Sequence, residues 1–136
     1  MNPPRSIMFA VLGIAAWGLS QLIYRLSILP HLPEWRSVPM WLWGVQLLPL
    51  AAAVVATGVL SRTLREASIN GLSLVVPPIL VVAAYGALTG RPVGHDVWVG
   101  DPLYLIGVVA QMTVGVLGVV LTAAIARNVS TRGHGV

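Results

Sequence analysis

Six side chains inside the apolar stretches of this chain have the type and spacing to do chemistry: Gln21, Tyr24, Arg25, Gln46, Tyr85 and Gln111. They are amides, phenols and one guanidinium. Such groups donate and accept hydrogen bonds and, through the arginine, hold an anion or a carbonyl; no member is an ordinary nucleophile, general acid or metal ligand. Their depths agree. At about 1.5 Å per helical residue, Gln21 lies roughly 22 Å from Ser6, where an apolar stretch begins, whereas Gln46 and Gln111 lie roughly 10 to 14 Å inside the opposite ends of theirs. Tyr85 reaches a similar level, and Tyr24 and Arg25 sit about one turn further on. The six therefore suggest a polar pocket in one half of a membrane, with Arg25 as its anchor for a lipid or an anionic or carbonyl-bearing lipid-soluble ligand. The plainer reading is that glutamines at one depth bond between helices and that Arg25 snorkels to the headgroups.

Other chemistry has little support. The chain contains no cysteine, and its basic residues are all arginine, so thiolate sites and lysine-based catalysis are excluded. His95-Asp96 pairs one histidine with one carboxylate, short of the three or four ligands a metal site needs. His31 and His95 lie outside the apolar stretches, so axial ligation of a haem at membrane depth is not expected. Neither a metal nor any other cofactor is expected. The basic balance, +4 with arginines scattered singly or in pairs, gives no stripe of the kind that binds nucleic acid.

What must position the six residues follows from composition. Of 136 residues, 57% are hydrophobic and 9% charged, and the mean hydropathy is +0.86. Lipid is the solvent such a chain requires. A hydrocarbon core about 30 Å thick takes roughly 20 helical residues to cross, and the charges leave four stretches of that length. The predicted class is all-α: a polytopic integral membrane protein built as a four-transmembrane-helix bundle. The spans are 6–29, 39–60, 72–89 and 102–126; residues 1–5, 61–71 and 127–136 lie on one side, and loops 30–38 and 90–101 on the other. Pro77-Pro78 predicts a kinked third helix, broken at the pair, with the carbonyls freed by the missing N–H groups facing protein. Asp101-Pro102 reads as an N-cap followed by proline in the first turn. His134 falls in a tail expected to be disordered. Trp41, Trp43 and Trp98 suit a headgroup interface.

Helix packing has its own residues. Gly13, Ala16 and Ser20 recur at three- and four-residue spacings in the first span, and Gly107, Gly115 and Gly118 share a face of the fourth with Tyr104, Gln111 and Thr122. Small residues let helix backbones approach closely where lipid offers no hydrophobic drive.

Arg5, Arg62, Arg65, Arg127 and Arg132 fall on one side, and Arg25, Arg36 and Arg91 on the other. Five against three predicts cytoplasmic termini in a bacterial-type cytoplasmic membrane. The arginines of 61–71 are expected to attract anionic lipid headgroups. With no carboxylate, histidine, cysteine or lysine in the spans, catalysis and cation-coupled transport are not expected. The expected function is a non-catalytic accessory or assembly subunit of a larger membrane protein complex. The alternative is a homo-oligomeric transporter or channel for a small solute or anion.

Overall fold

A computed structural model describes residues 3–31, 38–91 and 99–133. Four helices among them are long and apolar enough to cross a membrane: α1 (Pro3–Ile23), α2 (Met40–Leu60), α3 (Leu64–Thr89) and α4 (Pro102–Gly133). After Ile23 the chain winds on as a π-helix, Tyr24–Ile28, and a 3-10 turn, Leu29–His31, so the first membrane-length segment reaches His31.

α1 packs on α2 and α3, and α4 packs on the same two, so the helices form a square with α2 and α3 on one diagonal and α1 and α4 on the other. Arg5 meets Glu66, Asn70 meets Ser61, and Gly58 lies against Thr122. The N-termini of α1 and α3 and the C-termini of α2 and α4 therefore share one end, which also holds Arg62, Arg65, Arg127 and Arg132. This is the arginine-rich end. Leu88, Leu103 and Val114 are exposed, as an apolar surface facing lipid requires.

The bundle closes on small residues. A Cβ on Gly13 would fall on the Leu74 carbonyl oxygen, Gly58 faces Thr122, Gly115 faces Val75, and Gly118 faces Val54. Ala16 is buried and joins the core with Ala53, Leu74, Val75 and Val119. Ser20 is buried too, and donates to the Gln46 carbonyl oxygen at 2.8 Å. Gly107 departs from the expected packing face: it is exposed, and nothing lies within 4 Å of where its Cβ would be. Tyr104 and Val108 of the same turns line a cavity with residues of α1 and α3, so Gly107 lies off the face that meets the bundle.

Two helices reach beyond the expected spans, and one expected break is missing. α3 starts at Leu64, eight residues before 72, because Thr63 caps it: the Glu66 amide donates to Thr63 Oγ1 at 3.0 Å, and Glu66 Oε2 accepts from the Arg62 amide at 3.0 Å. Thr63-x-x-Glu66 has the spacing of a capping box, with the return bond taken from Arg62, one residue before the cap, and apolarity alone overlooks it because a helix protruding from the membrane has no need to be apolar. Thr63→Ala is expected to cost about 1 kcal/mol, read as a lower midpoint in detergent-titrated unfolding. α4 likewise continues past 126 to Gly133, well beyond a membrane's thickness, so the part of the expected tail that is described is helical. The expected break at Pro77-Pro78 is absent, and Leu64–Thr89 is one helix with both prolines inside it.

The physical reason lies across the helix interface. Pro78 has no N–H to give the Leu74 carbonyl four residues earlier, and that is the carbonyl against which Gly13 packs. The Gly13 Cα–H groups therefore cover the acceptor, a weak but recurrent contact between close helices. The freed carbonyl faces protein, as the sequence requires, without interrupting the helix. At the other end of α3, Gly90 takes φ 62°, and its N–H donates to the Gly86 carbonyl oxygen at 3.0 Å, a left-handed stop. α4 opens at Pro102, with the Leu105 amide on the Asp101 carbonyl oxygen at 3.1 Å. Glu34, Arg36, His95, Asp96, Trp98 and His134 lie outside the described residues.

Candidate functional site

The six expected ligand residues do not form one pocket. Ser20 and Gln21 are neighbours, so about 100° of helix separates them. Ser20 turns to α2, where Gln46 Nε2 donates to its hydroxyl at 3.1 Å while that hydroxyl donates to the Gln46 carbonyl. Gln46 thus ties α1 to α2, as the packing reading of the glutamines expects, and is not a pocket residue. Gln21 instead faces α3 and α4 and shares a cavity of about 130 Å³ with Gln111, Tyr104, Trp17 and Pro78. The depth match between Gln21 and Gln111 is real in space.

Arg25, Tyr24 and Tyr85 do not line this cavity. Arg25 and Tyr85 are exposed, and Tyr24 is half-buried. Gln21 is in the last turn of α1, whereas Arg25 belongs to the π-helix that follows it. Arg25 therefore does not stand at the head of the cavity that Gln21 shares with Gln111.

Tyr104 takes its place. Its hydroxyl oxygen is buried without a hydrogen-bond partner, and it belongs to the same cavity as Gln21 and Gln111, for whose carboxamides no hydrogen bond is recorded among the described residues. The polar groups therefore converge without satisfying one another. Such groups in an apolar medium call for water, a ligand or another chain. By contrast, Thr57, Ser61, Thr113 and Thr122 donate to carbonyls four residues earlier in their own helices. Their hydroxyl protons are already spent.

A larger apolar cavity of about 400 Å³ lies between all four helices, walled by residues such as Gly13, Leu50, Val75 and Gly115, with Gln111 at its polar edge. A third cavity, of about 550 Å³, sits at the arginine-rich end among Arg5, Ser6, Arg62, Arg65, Glu66 and Asn70. Reading the sequence for intramembrane polarity overlooks Ser6, Glu66 and Asn70, because their partners come from distant helices. Only the Thr63-x-x-Glu66 spacing signals any of them. Among the described residues, no cluster of three or more histidines, cysteines or carboxylates is placed to hold a metal.

Comparison with protein-family models, with curated proteins and with solved structures finds no match.

Proposed function

We propose that this chain is a non-catalytic subunit that assembles with further transmembrane helices through the outer half of α4. Gln111 carries the reading. It lies ten residues into α4, roughly 14 Å along the helix, exposed and with no recorded hydrogen bond among the described residues. An amide without a partner at membrane depth is costly, and a neighbouring helix relieves that cost by bonding it. Gly107, one turn away, leaves room for a close approach. α4 is also the least covered helix, with 11% of its most apolar window buried against 28% in α3.

On this reading the arginine-rich end, with both termini, lies in the cytoplasm of a bacterial-type cell, an orientation the arginine asymmetry favours. In mild detergent, the chain is expected to copurify as a larger hetero-complex visible by native mass analysis. Gln111→Leu is expected to deplete the partner while the chain's own abundance is unchanged. A pure homo-oligomer, or a monomer holding a lipid-soluble molecule, would count against this reading.

The second outcome has one observation in its favour, the buried Tyr104 hydroxyl in the cavity shared by Gln21 and Gln111. On that reading the cavity takes the polar group of a lipid or lipid-soluble ligand. Tyr104→Phe then removes the bound molecule and leaves any assembly intact.

A further inference from the structure

The cavity at the arginine-rich end is built differently from the one between Gln21 and Gln111, and its charges do not cancel. Arg5, Arg62 and Arg65 line it with a single carboxylate, Glu66. Both Glu66 oxygens are engaged: Oε1 pairs with Arg5 Nη1 at 2.5 Å, and Oε2 accepts from the Arg62 backbone N–H at 3.0 Å. The carboxylate therefore neutralises Arg5 and fixes the start of α3. The guanidinium groups of Arg62 and Arg65 are left exposed at the cavity, with no ion pair recorded among the described residues.

Two further features favour an anion there. α1 and α3 run parallel, so the positive ends of two long helix dipoles converge on the cavity. Independently, the Ser6 hydroxyl oxygen on its wall is buried without a hydrogen-bond partner. Guanidinium forks and a hydroxyl donor arranged around about 550 Å³ suit the several acceptor oxygens of a phosphate group.

We propose that this cavity binds a phosphate group, held by Arg62 and Arg65 with Ser6 as a hydroxyl donor. The ligand is the headgroup of an anionic phospholipid or a free phosphate. The proposal is independent of assembly through α4.

The test uses the full chain purified in mild detergent at fixed ionic strength, since exposed charges are screened by salt. Binding of dioleoyl phosphatidic acid, dioleoyl phosphatidylcholine and inorganic phosphate is measured by native mass spectrometry. Phosphatidic acid is expected to be retained in preference to phosphatidylcholine. Arg62→Gln with Arg65→Gln is expected to weaken it by about 25-fold, at roughly fivefold for each arginine lost near a headgroup.

Arg127→Gln with Arg132→Gln removes the same charge from the same end, outside the cavity, and is expected to leave binding unchanged. All four side chains are exposed, so neither pair disturbs the core, and circular dichroism confines the comparison to folded protein. Competition by inorganic phosphate identifies a free-phosphate site; its failure to compete while phosphatidic acid binds identifies a headgroup site. Either result upholds the phosphate site. Absence of binding by both anionic probes, equal retention of the two lipids, or equal losses in the two double variants overturns it.

Discussion

Replacing Gly13 with leucine is expected to lower the stability of the folded bundle by about 3 kcal/mol or more, the upper range for forcing atoms into a packed interface. The obstacle is backbone, not a side chain that can rotate away: a Cβ at Gly13 meets the oxygen, carbon and Cα of Leu74. α1 would have to move off α3 along its whole length, because these parallel helices form one of the two most extensive contacts in the bundle. Separation would also uncover the Leu74 carbonyl that Pro78 leaves without an intrahelical donor. The measurement is unfolding in a detergent titration followed by tryptophan fluorescence. Gly107→Leu is the matched control, expected to change stability by no more than about 0.5 kcal/mol, the usual range for surface changes. If the proposed assembly face is right, that same variant loses its partner. A Gly13→Leu protein as stable as the parent would mean that α1 and α3 do not cross as described.

Gly58 gives the second large effect, and its neighbours make the cause separable. A Cβ there would lie 2.5 Å from Thr122 Cβ, 2.8 Å from Thr122 Cγ2 and 2.8 Å from the Val119 carbonyl oxygen. Gly58→Ala is expected to cost about 1–3 kcal/mol. In that background Thr122→Ala removes Cγ2, along with Oγ1 and its bond to the Gly118 carbonyl oxygen, but keeps the closer Cβ and should restore little. Thr122→Gly removes Cβ as well and should restore more, yet not all, because Val119 contributes backbone. That graded recovery, measured as coupling in a double-mutant cycle, reads the α2–α4 distance directly. Equal recovery by alanine and glycine would place the contact elsewhere on Thr122.

These experiments concern packing because packing is where the chain's encoding is clearest. Composition and the spacing of charges determined the class: four apolar stretches of membrane length must be helices, since hydrocarbon provides no partner for an unpaired backbone group. The same physics required the carbonyl released by Pro78 to face protein, as Leu74 does against Gly13, and small-residue spacing marked Gly13, Ala16, Ser20, Gly115 and Gly118 as close-approach positions. Gly58 and Gly71 were not singled out, because each owes its role to a partner on α4.

The candidate site was only partly legible. Equal depth along the spans brought Gln21 and Gln111 to one cavity, but depth is one coordinate, and rotation about each helix axis is another. Rotation sent Gln46 to Ser20, while Arg25, in the π-helix, does not line the cavity of Gln21. The start of α3 and the end of α4 reach past the expected spans because their protruding turns are polar, while capping and winding decide where a helix stops.

The sequence by itself determined that this protein lives in lipid as four helices and which small residues let them meet. Only the tertiary structure decided which polar groups share a cavity. Polar groups on a helix are positioned by the rotation and neighbours of that helix, and those are set jointly by all four. For the same reason the arginine-rich cavity could not be read from Arg5, Arg62, Arg65 and Glu66 alone: it exists where two parallel helix starts, 61 residues apart in sequence at the Arg5–Glu66 pair, come side by side.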